Sequence, residues 1–537
     1  MYRTFAIRAT CLGVLIMGGA ALPRHSRPAD AADAGSDTLV VAYPTTPSSL
    51  DPAVSYDGAG PSVLRGLYEG LVRMKGSSVT EVEGVLATSW GSNARKTLWT
   101  FHLRHGVRFH DGTPLDAATV KASLMRTLKL NQAPAFITGQ FVAASGITVR
   151  GPYTLDLALS APAPRLLYAL ASQWGTGIVS PAAVRAHTVK GDFAGAWLAT
   201  HDAGTGPYTI SQVVPGQSVT MVKYPGYWRG WAGPHVSRVI VSYVAEVSTR
   251  RSLVEKGDAD ISNTFTPQDL TAMRGNPQLA ADTGYGLQNV TLVPTVAGPF
   301  ATIAARQALA YAFDYAALPD ALLKGYALAS QGPLARAAYG HDGSLPAPRT
   351  DLVKARALFA QAGVRPGTSV SLWYEAGDET QRNVALVALG QLAQLGIAVQ
   401  LQAHDSATYF NLLFSNQPAA KRPNLWVVTW YPDYNDPVDW LSPLYHGRDS
   451  AGDGSANAGL YRNAEVDRLL GQAATTLDAA ARQRALDRIQ TILTVDDPAA
   501  VPVTEIPNST VYRRSLRGYF YNPVYTLTYD YYALSKG

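Results

Sequence analysis

The stretch VVTWYPDYNDPVDWL, residues 427–441, sets Asp433 among Trp430, Tyr431 and Tyr434, with Asp436, Asp439 and Trp440 close behind. A carboxylate among rings suits three kinds of chemistry. It can close a turn through an Asx-type hydrogen bond, act as a general acid or base, or seat a cation while ring faces cover the rest of a ligand. Asp436 and Asp439, near Pro437, read as turn and helix-start residues. His102, His105 and His110 invite a metal reading, yet His102 alternates with inward Phe101 and Leu103, and the other two lie at turns. Three such side chains are not expected to converge as tight coordination demands, so no metal is assigned. The glycines of YDGAGPS, residues 56–62, could cradle a phosphate, but without the full dinucleotide pattern a turn into a helix is the simpler reading.

Catalysis finds little support. The chain has no G-x-S-x-G elbow, no S-x-x-K, no H-E-x-x-H and no Walker A loop. An exported hydrolase would need a nucleophile and base brought together in space, and no local signature points to one. These absences remove the common local signatures of an enzyme, and no cofactor is assigned.

The elements that must position Asp433 alternate between strand and helix. DTLVVAYP is a short strand stopped by Pro44, and PSVLRGLYEGLV, residues 61–72, has helical spacing. TLWTFHLRHGVRFHDGTP reads as a hairpin turning near Gly106, with Val107 and Phe109 on the return arm. A helix follows, with Thr113 expected as N-cap, Pro114 in the first turn and Asp116 as the capping-box acid. GITVRGPYTLDLALSAP and GTGPYTISQVVPGQSVTMVKYPGYW are further hairpins. The second half is richer in amphipathic helix, over 301–314, 351–363, 381–396, 463–477 and 478–493, with strands SVSLWYEA and IAVQLQA between. That alternation predicts an α/β fold with partly parallel strands. The tail GYFYNPVYTLTYDYYAL reads as a sheet face with Tyr519 and Tyr521 alternating.

At 537 residues the chain is too long for one compact core, and several domains are expected. The formal net charge of +5 without any Lys/Arg block gives nucleic acid no footing. Arg3 and Arg8 precede ATCLGVLIMGGAAL, residues 9–22, an apolar run too short to span a bilayer and followed by small residues. This is the pattern of a secretory signal peptide, expected over residues 1–31, with cleavage after Ala31 or Ala34. Cleavage after Ala31 removes four basic residues and Asp30, leaving 41 basic against 39 acidic residues, and takes away Cys11, the single cysteine. A mature chain without cysteine suits an oxidising compartment.

One region is specific. LATSWGSNARKTLWTFHLRHGVRFHDGTPLDAATVKASLMR, residues 86–126, resembles the extracellular solute-binding proteins of ABC importers, family 5, the oligopeptide-, dipeptide- and nickel-binding type. SLDPA (49–53), LYEGL (67–71), GTGPY, YPGYW, ARQALAYAFD, DLVKARALFAQAG and WYPDYNDPVDWL extend the resemblance along the chain, although the family commonly has Asn where Tyr224 stands. The resemblance implies a two-lobe periplasmic-binding-protein fold of type II with an inserted subdomain in the first lobe. It implies a first-lobe base of 36–71, 204–290 and 509–537, an insert of 72–203 and a second lobe of 291–508. It also implies that Asp433 holds a ligand's amino terminus, with Trp430, Tyr431, Asn435, Gly60 and Ser62 as further ligand contacts. Some relatives carry a basic residue shortly before this acid. Here that run is LWVVT, which favours a short peptide or similar amine-bearing solute. The implied partner is an ABC permease of the inner membrane, served by a soluble periplasmic monomer without a lipid anchor. The same family also takes metal chelates, haem, oligosaccharides and opine-like conjugates, so a non-peptide ligand is the alternative.

Overall fold

The structure, a computed structural model, describes residues 37–317, 325–415, 417–447, 456–526 and 528–537. The expected signal peptide lies outside the described residues. Two large mixed sheets organise the chain. In the seven-stranded sheet the order is 279–282, 510–513, 261–262, 38–43, 238–243, 218–223 and 208–214. Its central strand, Thr38–Tyr43, runs parallel to both neighbours. That strand is apolar almost throughout because helices and loops cover both faces, the usual state of a parallel strand. In the six-stranded sheet the order is 328–329, 501–507, 285–294, 425–430, 369–375 and 398–404. The expected strands SVSLWYEA and IAVQLQA are its parallel edge pair. A four-stranded antiparallel sheet, ordered 87–92, 98–103, 154–158 and 147–151, forms the centre of a third unit with its own core. Together these sheets make the two-lobe α/β fold with an extra subdomain.

The chain passes between the large sheets twice, at 283–284 and at 508–509. The expected lobe boundary at 290 falls inside strand Tyr285–Pro294, which belongs wholly to the six-stranded sheet. At the crossing itself the two segments bond to each other, the Asn508 amide donating to the Gly284 carbonyl at 2.7 Å.

Several expectations needed correction. Strand Leu98–Leu103 does bury Trp99, Phe101 and Leu103, but its partners are 87–92 and 154–158. With both edges occupied, the return arm makes only an isolated bridge, Arg108 to Pro114, although Val107 and Phe109 are buried. The next helix spans Ala117–Leu130, and its N-cap is Asp116, not Thr113. Asp116 accepts from the Thr119 amide at 2.8 Å while Thr119 Oγ1 accepts from the Asp116 amide at 2.9 Å, a reciprocal capping box. The tail is not a sheet face. Among its described residues no strand forms, the flanking 516–517 and 535–536 pairing with each other, and its phenols instead reach isolated carbonyls, Tyr525 to Ala171 at 2.7 Å and Tyr531 to Ser62 at 2.6 Å.

The helix after Tyr56 ends at Leu67, earlier than its spacing suggests, because two glycines press on its last turn. A Cβ at Gly204 would lie 2.0 Å from the Leu67 carbonyl oxygen, and Gly206 donates its amide to that same oxygen at 2.9 Å. This approach brings three sequence motifs onto one side chain. Glu69 of LYEGL accepts from Thr205 of GTGPY and from Tyr227 and Trp228 of YPGYW, each at 2.9 Å. Burial pushes the Glu69 carboxyl up, and the three donors oppose that shift. SLDPA is tied in the same way, Asp51 taking both arms of Arg126 at 2.9 and 2.5 Å with neither side chain exposed.

Glu69→Ala leaves three donors without an acceptor, at about 1–3 kcal/mol for each buried orphan. Its thermal midpoint is expected well below that of Glu69→Gln, which keeps an acceptor oxygen. Equal midpoints for the two variants would remove Glu69 from this role.

Candidate functional site

Strand Leu425–Trp430 lies inside the six-stranded sheet and delivers the chain to Tyr431 at the edge of the cleft between the lobes. The bend that follows is held by the helix beyond it, Pro437–Tyr445. Asp436 is the N-cap, accepting from the Val438 amide at 2.8 Å, and its carboxylate takes Arg482 Nη2 at 2.7 and 2.8 Å. One turn later, Asp439 Oδ2 accepts the amides of Asp433 and Tyr434 at 2.7 and 3.2 Å. The two acids therefore serve turn and helix start, as the sequence suggested, and leave the Asp433 carboxylate free to face elsewhere.

It faces the other lobe. Tyr56 donates its hydroxyl to Asp433 Oδ1 at 2.6 Å, and Ser172 Oγ donates to the Asp433 carbonyl at 2.8 Å. Rings surround the contact. Tyr56 meets Trp174 edge-on at 5.7 Å and Phe136 at 6.0 Å, and Trp174 stacks on Tyr431 at 6.0 Å. Among the described residues no cationic side chain pairs with Asp433 or Asp439. Burial pushes the Asp433 carboxyl up to about 7 against the pull of the Tyr56 hydrogen bond. Burial, with the Asp433 charge behind it, drives Asp439 upward as well. A half-buried carboxylate without a counter-charge is held toward its neutral form.

Beside it opens a cavity of about 800 Å3 between the lobes. Tyr431 and Trp174 form part of its wall, with Arg250, Asn263 and Asp378 elsewhere around it. Asp433 itself is not in that wall, since Tyr56 takes its exposed oxygen.

The remaining expected contacts scatter. Asn435 is an interlobe latch: Nδ2 donates to the Val79 carbonyl at 2.7 Å, and Oδ1 accepts from the Tyr339 amide at 3.2 Å. Trp430 is half-buried against the core of the six-stranded lobe. Gly60 and Ser62 do not reach the cavity. The Gly60 amide is spent on Asp57 Oδ1 at 2.7 Å, and Ser62 is fully buried with its hydroxyl given to the Ala59 carbonyl at 2.6 Å. YDGAGPS is thus a turn into a helix, and its contribution to the site is Tyr56. Nothing local marks Tyr56, because its partner is 377 residues away in the chain. The three histidines stay apart, His105 stacking on Tyr153 at 3.8 Å and His110 bonding Asp202 and the Gly206 carbonyl. Among the described residues no group of three His, Cys, Asp or Glu side chains could hold a metal, and no helix is long and apolar enough to cross a membrane.

The two lobes thus face each other across a cleft lined by Trp174, Arg250, Asn263 and Tyr431. Residues 81–452 match the family described as Bacterial extracellular solute-binding proteins, family 5 Middle, and the chain belongs to that family. It is similar to the Probable D,D-dipeptide-binding periplasmic protein of Escherichia coli (strain K12), 28% identical over 540 residues and covering 100% of both chains. It is also similar to the Glutathione-binding protein of the same strain, 26% identical over 90% of this chain and 92% of that one. Its fold matches the ABC transporter-associated periplasmic binding protein DppA from Helicobacter pylori in complex with peptide STSA. That likeness has a TM-score of 0.80 at 21% identity, over 93% of this chain and 98% of the other. Proteins of this family bind solutes and are not enzymes as a class.

Because both aspartates titrate higher in the fold than in the unfolded chain, the folded state binds their protons more tightly. For Asp433 stability is gained as pH falls through about 7 toward the ordinary aspartate range and lost as pH rises, and Asp439 acts in the same direction. The ligand-free thermal midpoint is therefore expected to gain from acidification between about pH 8 and pH 5, and Asp433→Asn to narrow that gain. An unchanged pH profile in Asp433→Asn would exclude the shifted titration.

Proposed function

We propose that this is a periplasmic solute-binding protein that captures a short, amine-bearing peptide between its lobes and delivers it to an ABC permease of the inner membrane. The observation that carries the reading is the Asp433 carboxylate, half-buried at the cleft, without a cation and ringed by Tyr56, Trp174 and Tyr431. A ligand ammonium supplies the missing charge and takes over the oxygen now held by Tyr56, while the rings cover the ligand's apolar parts. The cavity of about 800 Å3 is of a size for a small ligand rather than a long chain. D,D-dipeptide and glutathione, in the names of the similar proteins, are small solutes that carry an amine.

The lobes that close are one built on the seven-stranded sheet, from 37–71, 204–284 and 509–537 with the insert 72–203, and one built on the six-stranded sheet, 285–508. Residues 1–31 direct export and are removed, and the mature protein works as a monomer.

Calorimetric titration with D-alanyl-D-alanine, L-methionyl-L-leucine and glutathione is expected to give binding heat with at least one of them at micromolar protein. Asp433→Ala weakens that ligand about ten- to a hundredfold, the loss of a charge-assisted hydrogen bond of about 1.5–3 kcal/mol. Unchanged affinity in Asp433→Ala rejects the role given to this carboxylate.

A further inference from the structure

At the cavity wall formed by the seven-stranded lobe sits a buried cation with no anion. Arg250 lies on helix Val247–Lys256, is 2% exposed and lines the cavity. Its hydrogen bonds all go to carbonyls. Nη1 donates to Val244 at 2.8 Å and Ala245 at 2.5 Å, and Nη2 donates to Thr264 at 3.0 Å. Nε has no partner, and among the described residues no carboxylate forms an ion pair with this guanidinium. The nearest acids exert only a field. Asp269 is engaged by Thr266 Oγ1 at 2.6 Å and lies 3.7 Å from Arg251. Burial works against the Arg250 charge, and Asp269 and Glu246 offset it only in part.

A second orphan donor lies in the same wall. Asn263 is 2% exposed, and its Nδ2 has no acceptor in hydrogen-bond geometry although the Tyr529 hydroxyl is a neighbour. Between the two, Thr264 sits at φ +58°, a left-handed backbone that a β-branched residue rarely adopts. Strain of this kind persists where the surrounding structure imposes it, and it gathers at ligand sites. The strained peptide is the one whose carbonyl accepts from Arg250.

We propose that Arg250 and Asn263 form an anion subsite that receives the carboxylate of the captured solute. This deepens the amine-bearing reading above: the ligand is a zwitterion, its ammonium toward Asp433 and its acid toward Arg250. Nε has no partner and Nη2 bonds only the Thr264 carbonyl, so the side of the guanidinium that carboxylates take in a fork is the side left underused, with the Asn263 amide as a further donor. A single carboxylate fits better than a phosphate dianion, because among the described residues one guanidinium is the only cation in this wall and Glu246 stands in it too.

The test compares D-alanyl-D-alanine, its C-terminal amide and its N-acetyl derivative by calorimetry on the full chain. Amidation is expected to weaken binding to the unaltered protein about tenfold or more, the size of a lost charge-assisted bond. In Arg250→Gln and in Asn263→Ala the acid-to-amide ratio shrinks toward one. The proposal is overturned if acid and amide bind the unaltered protein alike, or if both variants keep the full preference for the acid. Should Arg250→Gln fail to fold for loss of its carbonyl bonds, Asn263→Ala and the amide comparison still decide. The N-acetyl arm reads Asp433 alone. Indifference to acetylation with sensitivity to amidation sinks the amine reading and leaves the anion subsite standing.

Discussion

The constraint on which the site depends is the cost of holding one half-buried carboxylate without a counter-ion. Partial burial of an aspartate without a counter-ion is unfavourable, and hydrogen bonds from its neighbours offset that cost around Asp433. Arg482 neutralises Asp436 and fixes the helix start, Asp439 uses two backbone amides to set the bend, and Tyr56 from the opposite lobe satisfies the remaining oxygen. Three acids stand within seven residues, and their surroundings give them three separate tasks. One is paired, one is bonded to backbone, and one meets Tyr56 across the cleft.

The architecture supplies the geometry for this arrangement. Two sheets with separate cores are linked at 283–284 and 508–509, and the linking strands run side by side. Paired crossings permit the lobes to bend toward each other while resisting a slide of one past the other, which is hinge closure. The cleft between them then gathers residues from distant parts of the chain around one cavity. Trp174 comes from the insert, Arg250 and Asn263 from the seven-stranded lobe, and Tyr431 from the six-stranded lobe.

Much of this was legible before any coordinates. The amphipathic helices of the second half and the parallel strand pair follow directly from periodicity, and the aromatic-acid stretch around Asp433 marks itself by composition. What was not legible depends on contacts that no local window contains. Leu98–Leu103 could not reveal that its neighbours would be 87–92 and 154–158 in place of the residues just after Gly106. Thr113 and Asp116 are both good caps, and the reciprocal bond with Thr119 decides between them. Gly60 and Ser62 have the composition of a ligand loop, yet Asp57 and Ala59 absorb their polar groups. Tyr56 and Arg250 gain their meaning only across the cleft, one from an acid far along the chain and the other from an acid that never arrives.

Tyr434, immediately after the cleft acid, is 4% exposed and belongs to the core of the insert, with its ring 6.2 Å from that of Phe141. It is a plug from one lobe seated in the other. Drawing the lobes apart uncovers this ring, at roughly the 1.5–3 kcal/mol that burial of a large apolar side chain contributes. The barrier to release is thereby partly independent of what has been captured, so the dwell time of any cargo carries a fixed contribution written into the scaffold.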